Sequence, residues 1–216
     1  MNFSYRLIYT LATKTEQEVQ LINKCYALWA DEYGKDLASR GATLNRDEFQ
    51  RARVIAVITR GDDLVGFHQY SVFDLREQSS LAHSYVRALG EDVVKKLTEN
   101  KITSFMALEY LTVAPEFRGR AAAGPKISEI LIRLGLRVMR ELGADASVGI
   151  ARIDRKVNST ADNIGFSEVA QITKYNNPCG VVVFSKNDEV IPSDDFTNRT
   201  VEMLWTDKLK VAKIAA

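Results

Sequence analysis

The stretch Leu111-Thr-Val-Ala-Pro-Glu-Phe-Arg-Gly-Arg-Ala-Ala-Ala-Gly-Pro125 joins an apolar run that stops at Pro115 to a helix-forming segment through a loop of small residues. Such a loop at a helix start exposes several backbone N–H groups, and the helix dipole adds about half a positive charge there. It reads as an anion cradle, or at its plainest as a tight turn. Local charge agrees with the cradle: residues 116–141 hold six basic side chains (Arg118, Arg120, Lys126, Arg133, Arg137, Arg140) against three acidic ones. The loop lacks the GxxxxGK[ST] of a P-loop and the GxGxxG of a dinucleotide site.

The elements that must position this loop follow from period and punctuation. Residues 3–11 read as a strand, and 15–33 as a helix with Val19, Ile22, Tyr26 and Trp29 on one stripe, closed by Gly34. Asn45 is placed to cap a short helix through Arg51, and the β-rich runs on either side of Arg60-Gly-Asp-Asp63 read as a hairpin. Residues 83–99 form a Gly-interrupted helix, and the apolar run 102–115 a central strand. Pro125 suits a first helical position, and Ile127, Ile130, Leu131, Leu134 and Val138 make the apolar stripe of the clearest helix, 125–142. A strand at 146–153, a short helical piece near 155–163 and strands at 166–174 and 180–185 complete a mixed α/β pattern. The tail from Asn187 has no evident place.

The string VAPEFRGRAAAG resembles the acyl-coenzyme A signature of the GNAT acyltransferase superfamily, with Arg118, Ala121 and Ala123 at the signature positions. The likeness extends to LVGF at the hairpin and IGF near the last strands, in the same order, and covers roughly residues 3–185. It implies a GNAT-like α/β fold, with a mixed, mostly antiparallel central sheet flanked by helices and a helical insertion between the third and fourth strands. It also implies that coenzyme A pyrophosphate is held by Arg118, Gly119, Arg120, Ala121, Ala122, Ala123 and Gly124, and that the pantetheine arm runs along Leu111, Thr112 and Val113. Two positions depart from the pattern. Ala121 stands where a glycine is usual, and Ala161, four residues before Gly165, stands where many members carry a tyrosine that protonates the departing thiolate.

An amine must lose its proton before it can attack a thioester, so the implied reaction needs a base. Glu109, nine residues before Arg118, is the candidate, and strand alternation is expected to turn it away from Leu108 and Tyr110; its plain reading is a strand-edge charge. Tyr175 is the candidate replacement acid, or a strand aromatic before a turn. Asn158 is placed either to bond the pantetheine or to cap the short helix. His68 and His83 are secondary titratable candidates, each also readable as a packing or loop residue.

The expected activity is acetyl transfer from acetyl-CoA, or another acyl-CoA, to a small-molecule or peptide amine in a ternary complex. One alternative is a long-chain N-acyl amino acid or acyl-homoserine lactone type synthase fed by acyl-carrier protein, suggested by the insertion at 83–99. Another is an inactive acyl-CoA-binding module, suggested by Ala161. The chain of 216 residues has 46% hydrophobic and 26% charged residues and a net charge of +1, which fits one soluble globular domain and gives no general reason to expect nucleic acid as a partner. Cys25 and Cys179 form no metal or redox motif, no metal is expected, and the sequence shows neither a leader nor an apolar run of about 18 residues. A cytoplasmic location is expected, with the C-terminal segment packing on its own chain or in a homodimer.

Overall fold

The computed structural model describes residues 2–119 and 126–210, with the last two described in backbone only. The elements in chain order are β1 (Phe3–Tyr9), α1 (Glu16–Ala38), β2 (Val54–Arg60), β3 (Asp63–Asp74), α2 (Gln78–Ala82), α3 (Ser84–Leu89), α4 (Glu91–Glu99), β4 (Ser104–Val113), α5 (Ile127–Glu141), β5 (Ala146–Arg152), α6 (Val157–Asp162), β6 (Ser167–Lys174), β7 (Asn177–Ser185), α7 (Asp195–Thr206) and β8 (Leu209–Lys210), of which α2, α7 and β8 are not expected from the sequence. The residues gather into two compact units, and β3, β4 and α5 each contribute residues to both.

The first unit comprises residues 1–71, 110–135 and 193–216. Its strands β1, β2 and β3 pair antiparallel, and the backbone of β8 runs parallel to β1. The hairpin turns at Gly61, whose φ of 60° suits a residue without a Cβ. Helix α1 starts with a capping box that sequence reading passed over: the Thr15 hydroxyl accepts from the Glu18 amide, and the Glu18 carboxylate accepts from the Thr15 amide. Cys25 and Trp29, four residues apart, turn one face onto Ile8, Ile55, Val57 and Phe67. Val19 of the expected stripe lies outside that face and is 44% exposed. Gly34 does not close the helix, which runs on to Ala38; an interior glycine costs only about 1 kcal/mol, too little to stop a helix with tertiary contacts. Asn45 caps a 3-10 helix, Arg46–Arg51, by accepting from the Asp47 amide.

The second unit comprises residues 72–109 and 136–192. Its strand order is β6-β7-β5-β4, antiparallel except for the parallel β4–β5 pair. Helices α3 and α4 meet at Gly90 (φ 86°), so the expected interrupted helix is two, with α2 before them. Tyr85, Val86, Leu89, Val93 and Leu97 from these helices form a core with Phe73, Phe105, Ala107, Val148 and Val181. Asp145 fixes the start of β4: its carboxylate accepts from the Thr103 and Ser104 amides and from Lys186 Nζ at 2.7 Å.

The apolar stripe expected for α5 is buried throughout, from Ile127 to Val138. Both cysteines are free and buried. Among the described residues no helix is long and apolar enough to cross a membrane, and no group of three or more His, Cys, Asp or Glu side chains could hold a metal ion. The fold is mixed α/β, built on mostly antiparallel strands flanked by helices.

Candidate functional site

Strand β4 carries the site residues, and its regularity breaks where they lie. Parallel pairing with β5 runs from Phe105↔Ala146 to Leu108↔Gly149, whereas β5 continues to Arg152 in register with β7. The β4–β5 ladder therefore ends one residue before Glu109. Two residues past the last rung, Tyr110 has a φ of 50°, a left-handed conformation that costs a residue with a Cβ about 1–2 kcal/mol. The simple alternation expected across Glu109 and Tyr110 is interrupted there. Local packing holds the conformation: the Tyr110 ring lies edge-on to Trp29 and Tyr33 at 5.4 and 5.2 Å, and its hydroxyl donates to the Glu48 carboxylate. These contacts make Tyr110 a packing residue.

In the first unit, the segment Leu111–Val113 is held by its carbonyls. Leu111 O accepts from the Tyr33 hydroxyl at 3.4 Å, and Val113 O accepts from Arg118 Nε at 2.5 Å. The glycine of the LVGF motif has a packing reason: a Cβ on Gly66 would lie 2.8 Å from Thr112 O. After β4 a 3-10 turn, Pro115–Phe117, leads to Arg118 and to Gly119 with φ 65°, and the Arg60 guanidinium lies 4.6 Å from the Phe117 ring. Arg118 Nη1 pairs with Glu32 Oε2 of α1 at 2.7 Å. Arg120, Ala121, Ala122, Ala123 and Gly124 lie outside the described residues. Of the basic residues after them, Arg133 is buried in an ion pair with Glu129 at 2.9 Å and adds little free positive charge to the loop.

In the second unit, Glu109 is half-buried and acts electrostatically on Tyr85, a residue that sequence reading missed. The Tyr85 hydroxyl donates to Val148 O at 3.0 Å, within the last two rungs of the β4–β5 ladder. Burial, and after it the Glu109 charge, push this phenol well above its ordinary pKa, against a backbone hydrogen bond from Ile150, so it stays protonated. Lys174 Nζ lies 5.5 Å from the ring centres of both Tyr85 and Tyr175. Tyr175 and Asn176 have φ values of 49° and 59° and form the two-residue turn between β6 and β7. Tyr175 is thus within the turn and half-buried, not on a strand before it. The only sequence signal for Tyr85 is its place after His83, whose Nδ1 accepts from the Tyr85 amide and caps α3.

Asn158 is the second residue of α6 and not its cap. That position falls to Lys156, whose φ is 56° and whose side chain makes no capping bond. The glycine of the IGF motif, Gly165, has a φ of 112°, and a Cβ there would lie 2.9 Å from Glu189 O. Ala161 is buried in α6, and its carbonyl accepts from the Ile164 and Phe166 amides. His68 is 2% exposed, packs 5.0 Å from the Tyr70 ring, and has its pKa lowered to about 3 by burial, so it is a neutral core residue.

The strand order and the end of the β4–β5 ladder are those of the GNAT acyltransferase fold. A polyamine N-acetyltransferase of Drosophila melanogaster is similar over 85% of this chain and 100% of its own, at 13% identity and a TM-score of 0.60. An arylalkylamine N-acetyltransferase like 5b of a mosquito matches 84% of this chain and 100% of its own, at 12% identity and a TM-score of 0.59. FeeM, an N-acyl amino acid synthase from uncultured soil microbes, matches 86% of this chain and 90% of its own, at 11% identity and a TM-score of 0.58. No family model matches the sequence, and no curated protein is similar to it.

Proposed function

We propose that the protein is an acyl-CoA-dependent N-acyltransferase that passes an acetyl group to a small amine by direct attack in a ternary complex. The end of the β4–β5 ladder at Leu108↔Gly149, followed at once by Glu109, is the observation that carries this reading. Past that rung the main chain of β4 is released from β5, and an extended pantetheine arm could bond to Leu111, Thr112 and Val113. Arg118 and the amides from Gly119 to Gly124 would hold the pyrophosphate. The continuity of β3, β4 and α5 through both compact units supports reading the chain as one domain; a cytoplasmic location is part of the same proposal.

In this reaction Glu109 takes a proton from the acceptor ammonium, directly or through one water. The freed nitrogen pair attacks the thioester carbon, the carbon–sulfur bond breaks and the nitrogen gives up its second proton to solvent, so that the products are an amide and coenzyme A. Tyr175 is the group proposed to protonate the departing thiolate, and Asn158 to bond the pantetheine. Amines are the acceptors named for two of the three neighbours above, a polyamine and an arylalkylamine, which supports a small primary amine here.

A second reading, a long-chain N-acyl amino acid synthase served by acyl-carrier protein, is favoured by the likeness to FeeM and by the helices between β3 and β4. One experiment separates the two: coenzyme A thiol release from acetyl-, octanoyl- and lauroyl-CoA over a panel of amines and amino acids. Amine-dependent release fastest with acetyl-CoA supports the proposal. Release only with the long donors and an amino acid supports the second reading, and binding without release from any donor would leave an acyl-CoA-binding module.

A further inference from the structure

Tyr85 lies against the end of the β4–β5 ladder, the rung that Glu109 follows. Val148 precedes Gly149, the β5 residue of the last rung, Leu108↔Gly149. The Tyr85 hydroxyl donates to Val148 O at 3.0 Å. A side chain from the inserted helix α3 thus lies against the rungs at which the ladder ends. The position is firmly set: Tyr85 is 3% exposed, its ring stacks on Phe73 at 5.8 Å and 10°, and Phe105 lies 6.4 Å away. Behind it Val86, Leu89, Val93 and Leu97 complete a packed apolar cluster.

We infer that Tyr85 is the residue that sets acyl-chain length, closing the end of the thioester site so that the donor is a two- to four-carbon acyl-CoA. The inference rests on the proposed acyltransferase reading and assigns its donor class. A thioester drawn along β4 toward Glu109 meets joined strands beyond Leu108↔Gly149, so a longer chain could continue only across the sheet face that Tyr85 covers. Accepting it would require the phenol to leave its hydrogen bond to Val148 O and its stacking partner Phe73. Removing the ring leaves an apolar space lined by Phe73, Phe105 and Val148, which suits a hydrocarbon chain.

The test uses the full chain and its Tyr85→Phe, Tyr85→Leu and Tyr85→Ala variants with acetyl-, butyryl-, octanoyl- and lauroyl-CoA at a saturating amine. The wild type is expected to prefer acetyl- or butyryl-CoA. Tyr85→Ala should raise the octanoyl-to-acetyl ratio of kcat/KM at least tenfold, and Tyr85→Leu at least threefold, while Tyr85→Phe, which keeps the ring, stays within about threefold of the wild type. Tyr85→Leu decides the matter if the alanine variant fails to fold. A ratio unchanged in folded Tyr85→Leu, or a wild type that already prefers octanoyl-CoA, overturns the role of Tyr85 and leaves the acyltransferase reading intact. A wild type that binds no acyl-CoA overturns both.

Discussion

Arg118 is held from two sides: Nη1 lies 2.7 Å from Glu32 Oε2 on α1, and Nε donates to Val113 O at 2.5 Å. The guanidinium is thereby aimed by its own strand and by a helix 80 or more positions earlier in the chain, and one anion already claims it. If a coenzyme pyrophosphate binds here, it competes with Glu32. Arg118→Ala should raise the dissociation constant for coenzyme A at least tenfold, as expected for losing a charge-assisted contact. Glu32→Gln should lower it by about twofold, since a partly exposed pair is worth only about 0.5 kcal/mol. Titration calorimetry at two salt concentrations reads both effects, and equal affinity in wild type and Arg118→Ala would remove this residue from the site.

Glu109 follows the last β4–β5 rung and is the proposed base. Glu109→Gln keeps shape and loses basicity, so kcat should fall by about 10²–10⁴ while the acetyl-CoA dissociation constant stays within twofold. Steady-state kinetics with direct binding measurement separates the two. A parallel loss of binding would mean that the side chain supports the strand instead.

Asp145 ties β4 to β5 through the Thr103 and Ser104 amides and the Lys186 ammonium, and the Lys186 hydrogen bond first, with the two amides, holds its carboxyl below the ordinary carboxylate range. A carboxyl with a lowered folded-state pKa contributes stability that is fully present above its unfolded value of about 3.9 and is lost as pH falls below it. Thermal melts should therefore show Asp145→Asn less stable than wild type by about 2 kcal/mol at pH 7. That difference should shrink between about pH 4 and pH 2. A gap independent of pH would assign the effect to packing.

Gly66→Ala places a Cβ 2.8 Å from Thr112 O, a backbone atom that cannot step aside alone. The expected cost is about 1–3 kcal/mol. Because the displaced carbonyl belongs to the proposed pantetheine segment, coenzyme A affinity should fall as well. Chemical denaturation and a binding titration on the same sample check both, and a stable variant with weakened binding would show the strand adjusting around the new methyl group.

Much of the fold is written in short-range signals. The Asn45 cap, the turn at Gly61, the stripe from Ile127 to Val138 and the break at Gly90 are set by atoms within a turn or two of each other, so local sequence determines them. What the tertiary structure alone decided lies at long sequence separation. Trp29 and Tyr33 hold Tyr110 in a left-handed conformation that no strand pattern announces, and they break the alternation used to orient Glu109. Gly34 stays helical because contacts elsewhere in α1 outweigh its small local cost. Tyr85 reaches Val148, 63 positions away, from an inserted helix whose sequence advertises only a cap and an apolar face. Periodicity tells which side of an element is buried, because the backbone repeats; it cannot tell which distant main-chain group a buried hydroxyl will meet, because that depends on how the elements pack.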